Sequence, residues 1–531
     1  MPSRHPLWPC RTRRLPLLAA AALAGACDGG GVAGNSAALA LAPPLCAHEL
    51  LAAGVPLAFP RDAAFANATR VNDPLFNAAA FAPPFVALPK TEAHVAAALA
   101  CAAAAGARVA LKGGGHSSGG YSSLADGGAF SVSLQNLALR APAGGGSAPR
   151  VAWAGAGAPG GAIRATGGAR WADVYAFLDA APPPARVAAG GLCPSVGLGG
   201  HVLGGGVGPL TRERGLAADS LLGARVVRAN GSCCAVDAAG DAGLLFALRG
   251  GGGANFGVVT ELEIATHPAA QDGYTWTSAC FATANASAAA AVAALYAAVA
   301  PALPRTANVD AVLDGGSACL WAVVAGGAAE SAAALLPLTQ APAPAPRPAR
   351  LEAHSFARFW PMLQSYAAAR GYSEFGDEPW SARSCFASAA AVAAPGFAQA
   401  AAAVVHGPGS PTECSLHLLH VGGAMGDVGA NATAFAWRDA VLLPYAACAW
   451  RAGDSAGPAA AARGLQLFAQ RLGAFGCDES AYVNFEDRSL SGASAAQLNF
   501  GLNAARLEAI KRTWAPAGAT PLRFPQEVGA A

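Results

Sequence analysis

At 531 residues the chain has room for two to four domains of about 100–200 residues each. Hydrophobic residues make up 54% and charged residues 12%, which excludes a highly charged disordered protein, and the 65 glycines follow no collagen period. Lysine plus arginine number 34 against 32 acidic residues, a net charge of +2 that is far too small to neutralise a phosphate backbone, so no nucleic-acid partner is expected.

The first 26 residues read as a secretory signal peptide. Arg4, Arg11, Arg13 and Arg14 precede an apolar run from Leu15 to Ala24, and Ala24-Gly25-Ala26 offers a small-residue cleavage site before Cys27. That run is too short to span a bilayer, and Ser287–Leu303 is alanine-dominated and reads as a buried helix, so no membrane span is expected. Four N-x-[ST] triplets, at Asn67, Asn230, Asn285 and Asn431, together with 13 cysteines, fit a glycosylated, disulfide-bearing, secreted product.

Beyond Pro83, Thr91–Ala105 reads as a helix, and Ala107–Lys112 as a strand that runs into Gly113-Gly114-Gly115-His116. Further strands are expected at Phe130–Leu134, Val151–Ala154, Leu222–Arg228 and Phe256–Ile264. The Ala/Pro stretch Gln340–Arg350 is expected to be extended, between helices at Ser287–Leu303 and His354–Arg370, with alternating segments at Ala318–Val324 and Cys414–Val421. The pattern is α+β, with one unit over 83–269, a second over 270–470 and a tail over 471–531.

Several short motifs carry less than they promise. Gly155-x-Gly157-x-x-Gly160 matches a dinucleotide fingerprint, but Pro159 interrupts it and no helix follows. Gly115-His116-Ser117-Ser118-Gly119 has the form of a serine-hydrolase elbow after a strand, which makes Ser117 a candidate nucleophile, although glycine-rich sequence rather than a helix comes next. In Cys414-x-x-His417-x-x-His420, a strand would send His417 and His420 to opposite faces, so we expect no metal site and a pocket-lining histidine instead.

Two glycine-rich segments each carry one reactive side chain. The first is Lys112-Gly-Gly-Gly-His116; the second runs Gly190-Gly-Leu-Cys193-Pro-Ser-Val196-Gly-Leu-Gly-Gly-His201-Val-Leu-Gly-Gly-Gly206. Consecutive glycines let backbone N–H groups approach a ligand and form nests for a diphosphate or an electron-rich heterocycle. Arg249-Gly-Gly-Gly-Gly-Ala-Asn-Phe-Gly257-Val-Val closes the region.

In their order and spacing these segments, with Gly-Leu-Ala-Ala-Asp219 between them, resemble the berberine bridge enzyme-like flavoprotein oxidases, which share the PCMH-type FAD-binding fold of vanillyl-alcohol oxidase. The tail agrees: Tyr482-Val-Asn484-Phe-Glu-Asp487, then Asn499-Phe-Gly-Leu-Asn-Ala-Ala-Arg506-Leu, resemble the family's C-terminal segment. The resemblance implies an FAD-binding domain of two α+β subdomains over 83–269, an α+β substrate domain with an antiparallel sheet over 270–470, and a C-terminal segment over 471–531 that returns to the FAD domain. It also implies a bicovalent FAD, with His116 bonded to the flavin 8α carbon and Cys193 to C6, an attachment that makes the flavin a stronger hydride acceptor. Lys112, Gly113, Gly114, Gly115, Ser117, Val196, Gly197, Gly199, Gly200, His201, Gly204, Gly205, Gly206, Val258 and Asn484 complete the implied cofactor site. Cys46 and Cys101 fall where plant members carry a disulfide.

By the same resemblance, Tyr482 takes the proton of a substrate alcohol while hydride moves to flavin N5, and Asn484 shares its face if the segment is a strand. Val196 stands at the position that gates O2, where valine accompanies oxidase behaviour and H2O2 release. Two tyrosines of plant members are replaced by Ser118 and Val207, and His417 replaces an acidic or amide side chain, which suggests that His417 assists Tyr482. The expected substrate is a small hydroxyl-bearing molecule, a sugar or oligosaccharide first and an aromatic or allylic alcohol second. The alternatives are a serine hydrolase using Ser117 and a flavin-binding protein without turnover.

Overall fold

A computed structural model describes residues 43–514 apart from 73–82, 106, 124–128, 140–148, 156–160, 341–345, 372–377, 488 and 491. The signal-peptide expectation lies outside the described residues, as do Gly157, Pro159 and Gly160 of the dinucleotide-like pattern and part of the Ala/Pro stretch.

The expected helix forms as Glu92–Ala104. Thr91 caps it by accepting the His94 N–H at 3.2 Å, and Glu92 places a negative charge in its first turn. Val95, Leu99 and Ala102 on its inner face lie in one core with Val109, Phe130 and Val132 of a four-stranded sheet. That sheet runs Leu57–Ala58, Val86–Ala87, Ala129–Ser133, Arg108–Lys112, and its last three strands are parallel. A disulfide between Cys46 and Cys101 ties helix Pro43–Ala52 to this helix.

A second sheet of five antiparallel strands follows in the order Val151–Trp153, Ala162–Thr166, Val258–Ala265, Leu221–Val227, Cys233–Asp237. Its core is built on Ile163, Trp171, Val202, Leu221 and Leu262, each fully buried. Each such side chain contributes about 1.5–3 kcal/mol on leaving water.

The third sheet has eight antiparallel strands and faces two ways. In Ala307–Leu313, Val309, Ala311 and Leu313 pack with helices Ala286–Val299 and Phe397–His406, as do Leu416 and Leu418 of Cys414–His420. Period-two alternation sends the intervening Asn308, Asp310, His417 and Leu419, with Tyr445 and Ala447 of Ala440–Ala449, to the opposite face. That face lines a cavity. The α+β architecture with an antiparallel sheet is therefore as the sequence indicates.

One expected element divides. His354–Arg370 was expected as a single helix, yet Arg350–Phe356 pairs with Tyr274–Ala282 as a strand and the helix occupies only Phe359–Ala369. The run Leu351-Glu352-Ala353-His354 alternates with period two, which suits an edge strand. No helix among the described residues is long and apolar enough to cross a membrane.

Candidate active site

A cavity of about 520 Å³ lies where the Gly113–Ser117 loop, the Gly191–His201 segment, the open face of the eight-stranded sheet and the stretch Tyr482–Glu486 meet. The two glycine segments touch backbone to backbone. A Cβ on Gly114 would come within 2.1 Å of the Gly197 nitrogen, and one on Gly197 within 2.2 Å of the Gly114 nitrogen, so neither position admits a side chain. This contact brings the loops of His116 and Cys193 to one cavity. At Gly200, which also lines it, an added Cβ would meet nothing within 4 Å, so the backbone there leaves open space.

His116 Nε2 and Ser195 Oγ are 2.9 Å apart, a hydrogen bond that joins the two loops a second time. Burial, then the positive charge of Arg170, lowers the His116 imidazolium to about 3, so the ring is neutral and keeps a lone pair. Cys193 takes part in no disulfide, and burial pushes its thiol up to about 11 against the opposing pull of Arg370. The resting sulfur is therefore a thiol.

The stretch holding Tyr482 and Asn484 is a turn and not a strand. The two residues meet all the same, because Asn484 Nδ2 donates to the Tyr482 hydroxyl oxygen at 3.0 Å and to the His201 carbonyl at 3.0 Å. Gly206 N–H and Val207 N–H also donate to the Tyr482 oxygen, at 3.1 and 3.0 Å. A positive φ of 82° at Gly206 helps turn these consecutive amides onto one atom. Burial raises the phenol above its ordinary value, while the donors from Val207, Asn484 and Gly206 pull it down by stabilising a phenolate.

His417 lines the cavity but is not among the hydrogen-bond partners of Tyr482. Its ring stacks on Tyr445 with centroids 4.3 Å apart, Nε2 contacts Ser415 Oγ at 2.9 Å, and Nδ1 is buried without a hydrogen bond. Burial and the Arg370 charge hold its imidazolium down near 3. His420 also lines the cavity, with its Nδ1 accepting from the Val309 N–H at 3.4 Å and its backbone N–H donating to Asp310 Oδ1 at 3.1 Å, and Cys414 is joined to Cys448. Nearby, Arg370 Nη1 lies 3.4 Å from Asp310 Oδ2, an ion pair buried against the cavity.

Other expected site residues divide. Gly113, Gly114, Gly115, Ser117, Val196, Gly197, Gly199, Gly200 and His201 line the cavity. Gly204 and Gly205 instead pack against Asn484 and Phe435, where a Cβ would collide at 2.0 and 2.8 Å. Lys112 points away from the cavity, and its buried ammonium donates to the Asn67 carbonyl at 3.1 Å. Val258 is also misplaced by sequence: it is fully buried in the core under the four-stranded sheet, and its neighbour Val259 reaches the cavity instead. Ser117 donates to Glu486 Oε2 at 2.7 Å, and the described residues around it form turns and bends, without the helix an elbow requires.

Sequence reasoning missed Ser195, Glu486 and the Asp310–Arg370 pair. Ser195 and Glu486 lie inside motifs already quoted, so their position was in view although their contacts were not. Asp310 and Arg370 are 60 residues apart and meet only through the sheet and the helix packed on it.

Comparison with known proteins bears on this geometry. The FAD binding domain family matches residues 83–237. Glucooligosaccharide oxidase of Sarocladium strictum is 36% identical over 187 residues, 35% of this chain and 34% of that protein. Berberine bridge enzyme-like 21 of Arabidopsis thaliana is 33% identical over 188 residues, 35% of this chain and 32% of that protein. The match thus spans about a third of the length of these relatives. In fold, the crystal structure of glucooligosaccharide oxidase from Acremonium strictum covers 92% of this chain and 99% of its own, with a TM-score of 0.77 at 24% identity. Residues 83–237 thus form an FAD binding domain, and in fold the chain resembles a solved glucooligosaccharide oxidase.

Proposed function

We propose that this protein is a secreted FAD-dependent oxidase that removes hydride from a hydroxyl-bearing carbon, with a sugar or oligosaccharide oxidised to a lactone as the substrate class. The observation that carries the reading is the set of three N–H donors converging on the phenolic oxygen of Tyr482, inside the cavity that His116 and Cys193 also line.

Bound FAD supplies a two-electron acceptor for the substrate hydride. His116 and Cys193 would hold it at two points, an attachment favoured by the neutral imidazole of His116 and by a Cys193 sulfur that no disulfide consumes. The solved glucooligosaccharide oxidase of Acremonium strictum is described as carrying a 6-S-cysteinyl, 8α-N1-histidyl FAD. Gly113, Gly114, Gly115, Gly197, Gly199 and Gly200 line the cavity, and at Gly200, where an added Cβ would meet nothing within 4 Å, a flat ring would find room.

Tyr482 acts as the base. Its oxygen, held by the amides of Gly206 and Val207 and by Asn484, takes the substrate hydroxyl proton, and the same donors stabilise the phenolate that must form first. His417, Asp310 and Arg370 line the cavity and give it polar groups suited to a polyol. Val196 lies on the cavity wall, where it would govern the approach of O2, with H2O2 as the expected second product. Four disulfides among the described residues support a secretory route.

The test is a screen of mono- and oligosaccharides and of aromatic and allylic alcohols for peroxide release by the purified yellow protein. Peroxide with oligosaccharides supports the reading. Peroxide with the aromatic alcohols alone moves the substrate class to the second expectation, and a yellow protein silent on every donor points to a flavin binder without turnover.

A further inference from the structure

The reaction proposed above leaves one cavity-lining carboxyl without a role. Glu486 lies four residues beyond Tyr482, and its contacts run to the three residues that follow His116. Its Oε2 accepts from Ser117 Oγ at 2.7 Å and from the Gly119 N–H at 2.7 Å, while its own N–H donates to Ser118 Oγ at 3.0 Å. Ser117 Oγ also accepts the Tyr121 N–H at 3.0 Å, which stiffens the loop on its far side. On the other side of His116, Ser195 engages the imidazole itself. The histidine is thus held through its ring by Ser195, and the residues that follow it are held by one 369 positions away from Ser117.

We propose that Glu486 is a positioning residue for flavin attachment, fixing the loop of His116 so that its imidazole meets the 8α carbon once the C-terminal segment has docked. The inference rests on the reading of His116 as a flavin anchor. Attachment exchanges an 8α C–H bond and an imidazole N–H bond for one C–N bond; the two hydrogens reduce the ring, and molecular oxygen removes them as H2O2. A carboxyl is a costly way to brace a loop, because burial pushes it up to about 7, with the donors from Ser117, Gly119 and Ser118 working against that rise. Two donors on one oxygen also make the latch directional, since a side chain without an acceptor there loses both.

Tryptic mapping of wild type, E486A, E486Q and S117A, each purified with flavin, tests this. The peptides 113–140 and 187–212 report His116 and Cys193 separately. Wild type should carry flavin on both. E486A should lose at least tenfold of the flavin at His116 while Cys193 stays modified, E486Q should restore most of it by keeping an acceptor oxygen, and S117A, which removes one donor, should fall between. The inference is overturned if E486A is fully modified at His116, or if E486A loses flavin equally at both anchors while E486Q fails to restore it. Should E486A not fold, wild-type occupancy of His116 in S117A overturns it. Unmodified wild type at both anchors would instead remove the bicovalent reading on which the inference stands.

Discussion

The two walls of the cavity are built by different means. On the cofactor side, the chain offers mostly backbone: Gly114 against Gly197, two consecutive amides at Gly206 and Val207, and open space at Gly200. On the sheet side it offers side chains, with Asn308, Asp310, His417 and Tyr445 projecting from neighbouring strands and Arg370 reaching in from a helix. A backbone wall has few ways to vary where its loops touch, since a Cβ on Gly114 or Gly197 collides with the facing backbone. A side-chain wall can be rewritten one residue at a time, so a fixed redox cofactor can serve changing substrates.

The comparison breaks first at the backbone wall. Gly197→Ala places a methyl carbon 2.2 Å from the Gly114 nitrogen, so we expect loss of flavin retention altogether, whereas Gly200→Ala, with nothing within 4 Å, should fold with a normal melting temperature; flavin absorbance of the two purified variants decides. At the side-chain wall, Arg370→Met leaves Asp310 buried without its partner and should cost about 3–5 kcal/mol in denaturant unfolding. Asn484→Ala removes one of three donors from the Tyr482 oxygen, about 1.5–3 kcal/mol for a bond to a charged acceptor, and should lower kcat about 10–100-fold without releasing flavin.

The smallest effect concerns pH. The folded-state imidazoliums of His417 and His116 are both held near 3, below the free value of 6.5. Groups depressed in this way contribute stability that is present above 6.5 and lost as pH falls toward 3. Glu486 has the opposite sign: raised to about 7 from 4.5, it contributes stability that is full below 4.5 and lost as pH rises through 7. Unfolding of the flavin-free protein measured across pH 4–8 should therefore weaken on the acid side less steeply in His417→Gln than in wild type, and Glu486→Gln should remove a loss between 4.5 and 7.

The same contrast explains what could be read from the sequence. That His116, Cys193 and Tyr482 belong together was legible because they stand in the short ordered runs that carry the family resemblance, and the structure brings them to one cavity. The helix at Glu92–Ala104 and the strand at Arg108–Lys112 were legible from capping and periodicity. Lys112 and Val258 were misassigned because adjacency in a motif does not say which face of a strand a side chain takes. The buried pair of Asp310 and Arg370, and the latch from Glu486 to Ser117, depend on pairing across long sequence separations, and no local pattern announces either.

The central claim is that the tyrosine held by three N–H donors takes the substrate proton. Tyr482→Phe keeps the ring and removes only the oxygen those donors hold. With flavin still attached and air excluded, bleaching of the flavin by an oligosaccharide that yields peroxide with wild type should slow by about 10²–10⁴-fold. Bleaching at the wild-type rate would contradict the account.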